Sequence, residues 1–225
     1  MKRPFLFLLT CSFLFACSSD DDFDFSPESS LGSAYFPLKL GQEKIFRVDS
    51  VIYDDFSGSV DTNTFFRKEV LVDTFKSGSG EQVFIKRISF RASDSLPWIL
   101  QKDLSLKKAS RGVERQEDNI LRLILTFPIA ENISWDANVL NTLEETNYRY
   151  EMLFQPFDLN GVQFDSTVAV LQRDEENLIE RFFTQEIYAP GRGLIYRKDV
   201  ELDLELSGEI RKGFETSIRL LEFTP

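Results

Sequence analysis

Histidine is absent from this chain, and cysteine occurs only twice, at Cys11 and Cys17. Without imidazole there is no Ser-His-Asp or Cys-His relay, no His-rich zinc site and no side chain that ordinarily titrates near neutrality. Both cysteines lie near the start, so the rest of the chain has no disulfide, thiolate nucleophile or Cys-based metal site. Positive charge is in deficit: 26 Lys and Arg stand against 37 Asp and Glu, for a net charge of −11. An acidic surface repels phosphate backbones, so no nucleic-acid partner is expected. No metal and no cofactor is expected either. The side chains left for catalysis are carboxylates, Lys, Tyr and Ser.

The first residues carry a different signal. Lys2 and Arg3 precede an apolar run, Phe5 to Phe15, broken only by Thr10, Cys11 and Ser12. A basic start, an apolar stretch of about 11 residues and a small residue before a cut describe a secretory signal over residues 1–16. The stretch is too short to span a bilayer, which takes roughly 20 residues as a helix. Leu14-Phe15-Ala16-Cys17 resembles the bacterial lipobox, with Phe15 where a small residue is usual. The resemblance implies acylation of Cys17 and a membrane anchor through its lipid.

Residues 17–33 then read as a tether. Ser18 to Ser33 is acidic and Ser-rich, contains Pro27 and Gly32, and shows neither helical nor strand periodicity. Asp20, Asp21 and Asp22 resemble the acidic export signal of surface lipoproteins in the Bacteroidota. That resemblance implies an outer-membrane location, facing the cell surface or the periplasm. Calcium loops place ligands at alternate positions around a turn Gly, and this run does not.

From Ala34 to Pro225 the dominant period is two, as expected for one all-β domain: an antiparallel meander of about ten strands, closed as a curled sheet, half-barrel or sandwich. Phe65, Arg67, Glu69 and Leu71 alternate with Phe66, Lys68, Val70 and Val72. Tyr148, Tyr150, Met152 and Phe154 alternate with Arg149 and Glu151. Leu202, Leu204 and Leu206 alternate with Glu201, Asp203 and Glu205. Such strands suggest one apolar and one charged face each. Turn signals divide them, among them Leu159-Asn160-Gly161, since Asn-Gly tolerates the left-handed backbone of a tight hairpin. Gly208 and Gly213 bracket the last connection. Helical turns are allowed only within Glu131 to Leu143 and Asp174 to Phe183. With 22 Phe in the chain, aromatic rings are expected to fill the core or to line an apolar cavity.

Two segments, Ala34-Tyr35-Phe36-Pro37-Leu38-Lys39-Leu40-Gly41-Gln42 and Tyr188-Ala189-Pro190-Gly191-Arg192-Gly193-Leu194-Ile195-Tyr196-Arg197-Lys198, resemble motifs of a broad group of exported lipoproteins of the Bacteroidota. The resemblance implies an all-β exported domain and no particular activity. Physically, Pro37 and Gly41 would steer the chain into its first strand, and the Pro190 to Gly193 segment is a turn or bulge allowing close approach. Gly191-x-Gly193 lacks the Lys-Ser/Thr and the following helix of a phosphate loop.

Three functional readings follow. The first is a non-enzymatic, outer-membrane-anchored lipoprotein that binds or assembles with an unknown protein, glycan or lipid partner. The second is a carrier of an apolar ligand or lipid in a half-closed barrel. The third is a carboxylate-dependent glycan hydrolase. Nothing distinguishes Glu180 with Glu186, or Glu144 with Glu145, from carboxylates on a solvated strand face. Trp135 and Trp98 are candidate ligand-stacking rings, and each would equally serve as a packing anchor.

Overall fold

The computed structural model describes residues 32–225. Cys17 and Asp20, Asp21 and Asp22, with the 1–16 signal and most of the tether, lie outside the described residues. The chain enters through a 3-10 turn at Ser33–Tyr35. Six strands follow: β1 (Glu43–Tyr53), β2 (Val60–Lys76), β3 (Gln82–Arg91), β4 (Ile99–Ala109), β5 (Gly112–Glu117) and β6 (Ile120–Thr126). Then come β7 (Ser134–Asp136), β8 (Asn147–Leu159), β9 (Val162–Glu176), β10 (Glu180–Ala189), β11 (Gly193–Leu204) and β12 (Ile210–Thr224).

All twelve belong to one antiparallel sheet, in the order β6-β5-β4-β3-β2-β1-β12-β11-β10-β9-β8-β7. Each strand follows its chain neighbour except where β1 pairs with β12 and where the sheet order is interrupted between β6 and β7. Right-handed twist accumulates over so many strands and curls the sheet on itself. It thereby becomes a nearly closed barrel, as the sequence period suggested, with two more strands than expected. The allowed helical turns do not form: Glu131 to Leu143 contributes β7 and a loop, and Asp174 to Phe183 contributes the ends of β9 and β10.

The seam between β6 and β7 is closed by polar bonds. The Leu123 N–H donates to the Ala137 carbonyl (2.9 Å). The Trp135 indole N–H donates to the Leu123 carbonyl (2.9 Å), and the Asn141 amide donates to the Leu121 carbonyl (2.9 Å). The Tyr150 hydroxyl both donates to the Thr126 carbonyl and accepts from the Thr126 N–H. An unpaired sheet edge is thus satisfied along its length. Trp135→Phe keeps the ring and removes the indole donor. It is expected to destabilise the protein by about 1–2 kcal/mol, read as a lower urea midpoint at unchanged m-value.

Local sequence explains the irregularities. Asn160 and Gly161 take φ of 56° and 82°, the left-handed pair of a two-residue hairpin between β8 and β9. The expected alternation in β8 breaks after Glu151. Glu151 pairs with Ala169 and Gln155 with Thr167, so four steps on β8 oppose two on β9. Met152 and Phe154 take φ of 46° and 56° and turn outward, while Leu153 packs on the core. Gly213 lies inside β12 rather than in the preceding connection. Its φ is 129°, and a Cβ there would meet the Glu201 carbonyl oxygen at 2.0 Å. Gly213→Ala is expected to cost at least about 1–3 kcal/mol from backbone strain alone. A urea midpoint equal to that of the parent would refute the assignment.

Phenylalanine does not dominate the interior. Among the described residues only Phe36 and Phe46 are buried, whereas Phe56, Phe75 and Phe154 are exposed. The main cluster is built on Tyr35, Trp135, Tyr148, Tyr150 and Tyr188. Tyrosine suits this interior because several of its hydroxyls meet polar partners there. Tyr35 shares a hydrogen bond with Ser166 (2.6 Å), and Tyr188 donates to Glu186.

Candidate functional site: an ionic chamber inside the barrel

Period two and strand register together place charge inside the barrel. On β2, Arg67, Glu69 and Leu71 share the enclosed face; Phe66, Lys68, Val70 and Val72 face outward. Register sets Lys44 of β1 opposite Glu69, Lys86 of β3 opposite Leu71, and Arg115 of β5 opposite Leu106. Across the barrel it sets Glu186 of β10 opposite Arg197 of β11, which in turn faces Ile218 of β12. These side chains line a cavity of ≈ 290 Å³ together with Phe36, Leu38, Tyr188 and Leu194.

Two ion-pair clusters face this cavity. In the first, Glu69 accepts from Lys86 (2.9 Å) and pairs with Arg67. In the second, Arg197 donates to Glu186 (2.7 Å) and to Asp199 (2.6 Å), and the Tyr188 hydroxyl closes on the other Glu186 oxygen. Burial by itself would raise the pKa of Glu69. The Arg67 guanidinium and the Lys86 ammonium outweigh it and hold the carboxyl well below the usual range. Glu186 follows the same pattern: burial raises it, and Arg197 and Arg115 bring it below the ordinary value. Burial lowers the Lys86 pKa, because Glu69 gives back less than burial and the facing Arg67 and Arg115 take away. Burial and the nearby Glu186 carboxylate push the Tyr188 hydroxyl well above its ordinary value.

A wider vestibule of ≈ 760 Å³ adjoins the chamber and shares Arg115 and Arg197 with it. Arg122, Arg149 and Arg173 also line this vestibule, alongside Glu145, Asp174 and Glu175.

The two resembling motifs meet at the other end. The Gly191 N–H donates to the Ala34 carbonyl (2.9 Å), and Phe36 packs against Tyr188 with centroids 6.0 Å apart. A Cβ on Gly193 would lie 2.7 Å from Lys44 Nζ and 3.5 Å from Pro37. Close approach, inferred from the sequence, is therefore real, and what approaches is the cavity lysine.

The sequence candidates fall elsewhere. Trp135 is buried between Tyr148 and Tyr150, with its N–H committed to the seam. It packs as an anchor of the main core cluster. Trp98 lies outside the barrel, its ring already covered by Arg91 (4.4 Å) and Lys68 (5.0 Å). Glu186 is not on a solvated face but fully buried. Sequence reasoning passed over Lys44, Arg67, Glu69, Lys86 and Arg197. The available signal was charge at i, i+2 spacing within apolar strands, as in Arg67-x-Glu69 and Arg197-x-Asp199.

The chemistry that follows is restricted. The chamber wall mixes charged side chains with apolar ones such as Phe36, Leu38, Leu71 and Ile124, so a ligand there would meet charge as well as hydrocarbon. Glycoside hydrolysis needs a carboxylic acid that is neutral at working pH. Glu69 and Glu186 are both driven the other way. Among the described residues no group of three or more carboxylates could hold a metal ion.

No family model and no curated protein matches the sequence. Among solved structures, the chain is similar to a "putative lipoprotein" from Parabacteroides distasonis, at 11% identity and TM-score 0.47 over 84% of this chain and 98% of that one. It is also similar to a "putative exported protein with YmcC-like fold" from Bacteroides fragilis, at 10% identity and TM-score 0.43 over the same shares of each chain. A "putative outer membrane lipoprotein-sorting protein domain" from Vibrio parahaemolyticus aligns at 11% identity and TM-score 0.19, over 82% of this chain and 85% of that one. The strand pairing of this chain, not these likenesses, defines its fold.

Proposed function

We propose that this chain is a lipid-anchored protein of the cell envelope that acts by binding a ligand inside its barrel, without catalysis. The carrying observation is the ionic chamber, whose two buried carboxylates, Glu69 and Glu186, are both ion-paired and held below their ordinary pKa by neighbouring cations. The Lys2-Arg3 start, the apolar run and Ala16-Cys17 support the anchor. The acidic Asp20, Asp21 and Asp22 support an outer-membrane address. The barrel entry near Tyr35 leaves the intervening residues to act as a spacer from the lipid.

Two experiments test this reading. In cells, the parent chain is expected to sediment with the membrane fraction, and Cys17→Ala to appear almost entirely in the soluble fraction. A variant that stays with the membrane would refute the anchor. Native mass spectrometry of the full chain, released from detergent micelles, is expected to show a reproducible added mass beyond the lipid. Loss of that mass on Leu106→Trp, which fills the chamber, would place the ligand there. A bare lipidated chain would count against the binding reading.

A further inference from the structure

Lys44 is half-buried on the chamber wall, and among the described residues no hydrogen bond or ion pair reaches its ammonium. Every other charged side chain facing the chamber at this end has a partner: Glu69 has Arg67 and Lys86, and Glu186 has Arg197. A second donor nearby is also unmet. Arg67 Nε is buried with no hydrogen-bond partner, although another nitrogen of the same guanidinium pairs with Glu69. Lys44 and Arg67 come from adjacent strands, β1 and β2, and both line the cavity. A buried donor without an acceptor is costly: Arg67 Nε is one, the neighbouring Glu69 Oε1 also lacks a hydrogen bond, and the unpartnered Lys44 ammonium faces the same cavity.

The charge balance points the same way. The chamber wall carries Lys44, Arg67, Lys86, Arg115 and Arg197 against Glu69, Glu117, Glu186 and Asp199. A cationic excess inside a chain of net charge −11 runs against its overall composition. The adjoining vestibule carries Arg115, Arg122, Arg149, Arg173 and Arg197 against Glu145, Asp174 and Glu175, although Arg149 is paired with Glu151 and Arg173 with Glu175. Guanidinium groups around a low-dielectric cleft concentrate anions.

We propose that the chamber binds an oxyanion, the carboxylate or phosphate group of a small ligand, held by Lys44 and the free edge of Arg67. This rests on the barrel interior being the binding chamber. Lys44 supplies up to three donors and a full charge, and Arg67 adds a directed N–H. Gly193 makes room for the Lys44 ammonium. The adjoining Phe36, Leu38 and Leu194 accommodate a short apolar body on the same ligand.

Burial lowers the Lys44 pKa to about 8. An anion at its side would favour the charged form and return the value toward that of a free lysine. Binding above pH 8 should therefore take up a proton.

The test is calorimetric titration of the full lipidated chain in detergent with sodium acetate, succinate, phosphate and sulfate, at constant ionic strength. At least one should bind saturably, with chloride as the inert control. At pH 8.5 the enthalpy should differ between buffers of different ionisation heat by an amount that means proton uptake. Lys44→Met, similar in size and free of the buried charge, should fold as judged by circular dichroism. It should bind at least tenfold more weakly and show no proton uptake. A chain that binds none of the four anions, or a Lys44→Met variant that binds as tightly as the parent, would overturn the proposal. A neutral molecule copurifying in the chamber would also overturn it while leaving the binding reading of the barrel standing.

Discussion

Glu69→Ala should lower the unfolding free energy by about 3–5 kcal/mol, the loss characteristic of a buried ion pair that keeps only its cationic side. Glu69 is buried and receives both Arg67 and Lys86. With the carboxylate gone, Arg67 and Lys86 lose their ion-pair partner in a low-dielectric interior, and only the more distant Glu117 is left to offset them and Lys44. Urea unfolding should show a much lower midpoint at similar m-value. The double variant Glu69→Leu with Lys86→Met removes one charge of each sign and should recover part of the loss. Recovery stays incomplete because Arg67 remains. A single variant within about 1 kcal/mol of the parent would mean that the chamber is filled with bulk-like water and that its charges are solvated.

Acid should unfold the protein along a limb set by the same chamber. Glu69 and Glu186 have folded pKa values below the ordinary 4.5. Both are depressed in the fold, so each contributes stability that is fully present above about pH 4.5. As pH falls further, the unfolded chain takes up protons that the folded carboxylates refuse, and the contribution is lost. The slope approaches about 1.4 kcal/mol per pH unit for each group. Urea midpoints should be nearly flat from pH 6 to pH 5 and fall steeply below pH 4.5. Glu186→Gln, which no longer titrates, should be less stable at pH 6 and show a shallower acid limb. A limb equal to the parent's would show that Glu186 is not held ionised by Arg197.

Both results bear on function as well as stability. Fixed ionic groups that are costly to bury are retained in this interior, where apolar packing would serve a mere scaffold as well. Tyr188 and Phe36 join the chamber to the chain's entry segment. The chamber and the point where the described chain enters the barrel therefore share one end of the molecule.

Much of the fold was legible in the residues. Alternation at period two marked the strands, and Asn160-Gly161 marked the β8–β9 hairpin. Pro190 to Gly193 marked the turn between β10 and β11. Other features left little local trace. The break in β8 at Met152 and Phe154 occurs in a run whose residues alternate perfectly well, and it arises from pairing with β9. The strand β7 is three residues long, too short for a periodic signal, and is held by the seam bonds of Trp135 and its pairing with β8. The candidate site was hidden for a related reason. Both faces of β2 mix charged and apolar residues, Arg67 and Glu69 on one and Lys68 on the other, and charged residues usually lie toward solvent, so alternation alone did not single out the enclosed pair.

The sequence by itself determined that the chain lacks thiol and imidazole chemistry beyond its start. It also determined that the domain is an antiparallel sheet, and where most of its turns fall. These properties depend on composition and on neighbours in the chain, which local sterics and side-chain alternation convert directly into structure. Which face of each strand turns inward was decided only in three dimensions. So were the meeting of Lys44 with Gly193 and the pairing of Glu186 with Arg197. Period two divides a strand into two faces without saying which is enclosed. That choice belongs to the closure of twelve strands, when twist, register and the β6–β7 seam bring residues from opposite ends of the chain around one cavity.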